Sequence, residues 1–194
     1  MSFCNFTAII MEEHEEIEQH TKFNSALPLI LKLRDLIFGE TKPDVYTRIT
    51  VYFNALIWLI FLSWHLISYA SISLREVIFT EKKIDVEALI FERGKLLGFQ
   101  PYEFLNLLLN YHIISAICWG IIFIGLILIW RKNKIFNYFI FIPLIVYAGM
   151  ILFFLRWRYF MEDTTTFDKI SLLVFVLNIL IYWIIQRAKR QINI

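Results

Sequence analysis

The stretch that most constrains this chain runs from Ile49 to Ser73, ITVYFNALIWLIFLSWHLISYASIS. It contains no Lys, Arg, Asp or Glu and is closed by Arg48 and Arg75. A charge-free, mostly apolar run longer than about 20 residues is long enough to cross a bilayer as a helix. Three further charge-free runs follow, Phe104–Trp130, Ile135–Leu155 and Ile170–Gln186. They predict spans near 49–73, 106–130, 135–155 and 170–186. Composition agrees: 59% of the 194 residues are hydrophobic, against about 45–50% apolar in a soluble domain, so the excess needs a bilayer rather than one core.

The expected fold is an all-α integral membrane protein, a four-transmembrane-helix bundle with in-plane amphipathic helices. Residues 1–47 form an N-terminal extension, 48–187 the transmembrane domain and 188–194 a basic tail. Within the extension, Ser25 and Pro28 suit a helix start and Gly39 its stop. The segment 27–38 is too short and too charged to span and suits an in-plane helix. The segment 84–97 predicts a second such helix, at the interface or capping the bundle, with Val86, Leu89, Ile90 and Phe91 on its apolar side. Gly94 would weaken its centre by about 1 kcal/mol relative to Ala.

The N-terminus lacks a basic region followed by a long apolar one, so no cleavable signal peptide is expected and the first span directs insertion. Residues 12–20, EEHEEIEQH, read as a solvated acidic segment. His14 and His20 are six apart, which is not metal-ligand spacing on one helical face. Cys4 and Cys118 favour neither a disulfide framework nor a zinc site. No metal and no cofactor are expected.

Charge sets the expected orientation. Arg131-Lys-Asn-Lys134 and Arg187-Ala-Lys-Arg190 are basic, as is the segment before the first span. With four spans these fall on one side, which the positive-inside rule makes cytoplasmic, with both termini inside. Arg131, Lys132, Lys134, Arg187, Lys189 and Arg190 are then the candidate cytoplasmic contacts. The loop 74–103 mixes its cations with acids.

Few residues in the spans are polar. Asn54, Ser63, His65, Ser68 and Asn178 are the candidates for intramembrane contacts or for lining a pore. A titratable group at mid-depth, such as His65, is a functional candidate. A neutral imidazole bonded to a neighbour is the simpler reading, because it costs far less to bury than an ion. Asn178 is placed to meet His65 or Asn54, and His112 reads as an interfacial residue at the mouth of the second span. Ala116-x-x-x-Gly120 permits close helix approach. Arg156-Trp-Arg-Tyr-Phe-Met-Glu-Asp163 reads as snorkelling arginines in an aromatic belt rather than a nucleic-acid grip, so no direct nucleic-acid binding is expected.

The sequence holds no P-loop, GxSxG or HExxH motif and no carboxylate pair within a span, so the expectation is not an enzyme. Four spans in under 200 residues, the amphipathic N-terminal region and an Ile/Phe/Lys/Asn-rich bacterial style resemble a known group. These are the small multispanning accessory proteins encoded beside the RNA-guided ribonuclease in type VI-B CRISPR loci. The Arg-x4-His motif of the pore-forming accessory in such loci is absent here. The resemblance implies a non-enzymatic accessory or regulatory protein of the bacterial inner membrane. Its partners would be membrane lipids, an RNA-guided ribonuclease or other defence protein, and copies of itself. An oligomeric pore is the alternative, followed by a small transporter or an immunity protein; a membrane enzyme using His65 and His112 is the third class.

Overall fold

The structure is a computed structural model that describes residues 28–29, 31–32, 34–35, 37, 39 and 42–192, apart from the side chains of Arg190 and Ile192. Cys4, the acidic segment 12–20 and Ser25 lie outside the described residues. The chain divides into two compact units, Met1–Lys42 and Pro43–Ile194. In the first, the described positions from 28 to 37 are helical. Gly39, at φ 82, ends the helix, its N–H reaching the Asp35 carbonyl at 2.8 Å.

The second unit is all-α, with no strand among the described residues. Its helices are α1 (Val45–Ser73), α2 (Arg75–Lys82), α3 (Val86–Leu96), α4 (Pro101–Trp130), α5 (Phe136–Gly149), α6 (Arg156–Glu162) and α7 (Thr166–Ile192). A π-helical turn, Met150–Phe154, extends α5. Four stretches are long and apolar enough to span a membrane: Val45–Ser73, Pro101–Trp130, Phe136–Phe154 and Thr166–Lys189. The chain is thus a multi-pass membrane protein of four candidate spans.

Local chemistry extends the helices beyond the charge-free runs. Asp44 caps α1, accepting from Thr47 N at 3.2 Å and Thr47 Oγ1 at 2.9 Å, so the helix starts before Arg48. Partial burial raises the Asp44 carboxyl, but the Thr47 hydrogen bonds and Lys132 outweigh it and hold its pKa down at about 2. Pro101 occupies the first turn of α4, where its missing N–H costs nothing. Thr165 and Asp168 form a reciprocal cap at 2.7–3.2 Å, starting α7 before Ile170. That helix then runs through Arg187 to Ile192, so the expected separate tail from 188 is helical as far as 192.

With lipid outside, apolar surface gives no net drive for helices to associate, and close packing must hold them. The central helix is α4: 44% of its most apolar stretch is buried in protein, against 17% for α7. Its neighbours are α1, α5 and α3, while α7 packs on α1. Large side chains left facing outwards, such as Phe153 and Ile145, suit contact with acyl chains.

The expected in-plane helix 84–97 is α3, and it caps one end of the bundle against α4. Arg93 ties it to the α6 end through Asp163 at 2.6 Å and Glu162 at 3.1 Å. Its C-terminus is a Schellman turn: Gly98 sits at φ 82, and Phe99 N–H reaches the Gly94 carbonyl at 2.9 Å. Gly94 is not merely a weak point. A Cβ there would lie 2.8 Å from Phe104 Cβ and 2.9 Å from its Cγ, the root of the ring rather than a flexible tip. Helix propensity alone predicts that Gly94→Ala stabilises by about 1 kcal/mol; the contact predicts destabilisation by about 1–3 kcal/mol. Thermal unfolding in detergent decides between them, and a raised Tm for the variant would refute the close approach.

Candidate functional site

The buried polar groups of the bundle lie in two layers with an aromatic layer between. Asn54 and His65 both face inward from α1, eleven residues apart, or about 16 Å at 1.5 Å per residue. In the first layer Asn54 Nδ2 donates to Asn178 Oδ1 at 2.8 Å and to the Thr50 carbonyl at 2.7 Å. Thr47 Oγ1 and Tyr182 Oη lie 3.4 Å apart near the same end. Of the two partners open to Asn178, the structure selects Asn54.

The aromatic layer is centred on Trp119, fully buried in α4. Phe61 of α1 stacks on it at 4.7 Å. Tyr147 of α5 and Phe175 of α7 meet it edge-on at 5.8 and 5.4 Å. Trp58 Nε1 donates to the Trp119 carbonyl at 2.7 Å.

The second polar layer lies beyond these rings. His65 Nδ1 and His112 Nδ1 are 3.0 Å apart, and both rings are buried. The expectation that His112 is interfacial is therefore corrected. Helix α4 begins at Pro101, so His112 lies three turns inside it on the face that also buries Leu108, Tyr111 and Ser115. Tyr111 Oη donates to Tyr147 Oη at 3.3 Å, and both tyrosine rings stand edge-on to His65. The Nε2 atom of His65 is buried without a hydrogen-bond partner, a deficit of about 1–3 kcal/mol by the usual cost of such a group.

His65 and His112 line a cavity of about 300 Å³. Its walls are largely aromatic, including Phe61, Trp64, Phe104, Tyr111, Tyr147 and Tyr159, and Ser68 contributes a hydroxyl. Arg93, Asp163, Thr164, Thr165 and Asp168 add a polar side. There the Asp163 hydrogen bond raises the Arg93 pKa. The Arg158 hydrogen bond, 2.6 Å long, lowers that of Glu162. Burial pushes the Tyr159 phenol up, with the Asp163 charge adding to it.

The predicted polar set is therefore split. Asn54 and Asn178 belong to one layer, His65 and Ser68 to the other, and Ser63 is half-buried on α1. The basic candidates gather at the Asn54 end. Lys132 pairs with Asp44 at 3.2 Å. Lys134 and Arg187 line a groove of about 300 Å³ with Trp183 and Gln186, Arg187 lying 5.7 Å over the Trp183 ring. Arg131 and Lys189 are exposed, and the side chain of Arg190 lies outside the described residues. Arg156 stands 4.3 Å over the Phe99 ring.

Among the described residues, no group of three or more His, Cys, Asp or Glu is placed to hold a metal ion. The site residues that sequence reasoning missed are Tyr111, Tyr147 and Tyr159. The inward spacing 104, 105, 108, 111, 112, 115 along α4 is the signal that points to Tyr111 and His112. No family model, curated protein or solved structure matches the chain.

The Asn54–Asn178 bond joins α1 to α7, the least buried span. In a double-mutant cycle with Asn54→Ala and Asn178→Ala, unfolding in detergent should give a coupling of about 0.6–1.7 kcal/mol. Strict additivity would mean that the two amides do not act together.

Proposed function

We propose that this chain is a non-enzymatic accessory or regulatory protein of a bacterial inner membrane that acts through protein contacts at its basic end. The observation that carries this is the charge contrast between the two ends of the bundle. At one end, among the described residues from Pro43 onwards, Arg48, Arg131, Lys132, Lys134, Arg187 and Lys189 gather with one acid, Asp44. At the other, cations such as Arg75, Arg93 and Arg158 are paired with Glu87, Asp163 and Glu162 at 2.6–2.8 Å. Under the positive-inside rule the basic end is cytoplasmic, with both termini inside.

The groove beside Lys134 and Arg187 supports docking there, because it sets cations beside a half-buried aromatic, Trp183. The likeness in span count and size to type VI-B accessory proteins supports antiphage defence as the setting. The partner would then be an RNA-guided ribonuclease or another defence protein.

The test is co-purification of the tagged full chain with the ribonuclease of its own locus, in mild detergent, from cells expressing both. The double variant Lys134→Glu, Arg187→Glu should reduce recovery of the partner at least tenfold while leaving the membrane level of the protein unchanged. Equal recovery with both forms would contradict docking at this end. Unchanged phage interference after deletion of the gene would contradict the defence role.

A further inference from the structure

We infer that the cavity at the His65 end is a binding site for a small, neutral, lipid-soluble ring compound of the phenol or quinone class. It lies at the opposite end from the proposed docking groove and does not rest on that proposal.

The first argument is hydrogen-bond chemistry. The 3.0 Å contact between His65 Nδ1 and His112 Nδ1 needs one proton between the two nitrogens. In a neutral pair, the ring that donates through Nδ1–H keeps a lone pair on Nε2, and the ring that accepts carries its proton on Nε2. The outer nitrogens are therefore always one donor and one acceptor, and moving the protons within the pair exchanges the roles. A hydroxyl and a carbonyl on a ring need opposite partners, and this pair can serve either. His65 Nε2 is buried with no partner of its own, as is the neighbouring Ser115 Oγ, so the layer has unmet hydrogen-bonding capacity.

The second argument is shape. Phe61, Phe104, Tyr111 and Tyr147 wall the cavity, and such flat faces favour a ring over an acyl chain. Its volume of about 300 Å³ exceeds the roughly 150 Å³ that holds benzene in an apolar protein cavity, so one or two fused rings fit. Access from the bilayer has a structural basis: Trp64 and Leu89 line the cavity and are also 59% and 60% exposed. A compound dissolved in lipid meets these two side chains first.

The test uses the purified full chain in detergent with two probes, menadione and naphthalene, which share the fused ring but differ in the carbonyls. Quenching of tryptophan fluorescence, checked by equilibrium dialysis, reads binding. Menadione should saturate, with a Kd at least tenfold below that of naphthalene. His65→Leu, which keeps the side-chain volume but removes the nitrogens, should erase that difference. Ser68→Trp, which fills the cavity, should weaken both probes. If His65→Leu fails to fold, His112→Leu gives the same reading from the other ring. Equal affinities for the two probes in the wild type would reduce the site to an apolar void and overturn the inference. So would menadione binding unchanged in every variant, or Co²⁺ binding at the pair with no binding of menadione.

Discussion

The packing of Trp119 is the contact on which the bundle depends. It is the one fully buried indole, and it touches all four spans: its own helix α4, Phe61 and Trp58 from α1, Tyr147 from α5 and Phe175 from α7. In a bilayer the outside is as apolar as the inside, so burial of Leu and Ile gives little reason for helices to associate. Interlocking rings supply what apolar area does not. Edge and stacked pairs are worth about 0.5–1.5 kcal/mol each beyond burial; the indole makes three of them, and the Trp119 backbone carbonyl accepts from Trp58 Nε1.

The same layer separates two kinds of polar chemistry. On the basic side, amide and hydroxyl groups join helix to helix, and the loop after α4 is tied to the start of α1 by Lys132 and Asp44. On the other side His65, Ser68 and His112 line a cavity; buried polar atoms without a partner occur at both ends, Asn54 Oδ1 and His65 Nε2 among them. The cavity, rather than the count of polar residues, directs attention to the His65 end.

Much of the architecture was legible in the sequence because a span is written in composition. Charge-free runs located all four candidate spans, Gly39 marked a helix end, and 84–97 reads as a helix. The ends of the spans moved because capping is local: Asp44 with Thr47, and Thr165 with Asp168, start helices ahead of the apolar runs. The site was only half legible. Asn178 and Asn54 stood out as polar residues at depth, but their pairing depends on how α7 is rotated against α1, which no run of residues records. His112 reads as interfacial from its place near the start of the charge-free run, and no run of residues records that its ring meets His65 across the bundle. The tyrosines around His65 looked like ordinary aromatic content. Gly94 illustrates the remaining gap: propensity counts it as a cost, while the facing Phe104 makes it a requirement.

The most direct test of this account is the unfolding free energy of Trp119→Ala in detergent, with Trp119→Phe as the conservative comparison. If the ring layer holds the four spans together, Trp119→Ala loses about 3–5 kcal/mol, as a large aromatic removed from a packed core does. Trp119→Phe then retains most of that stability. A loss below about 1 kcal/mol, within the range of an ordinary surface substitution, would contradict the central place given to Trp119.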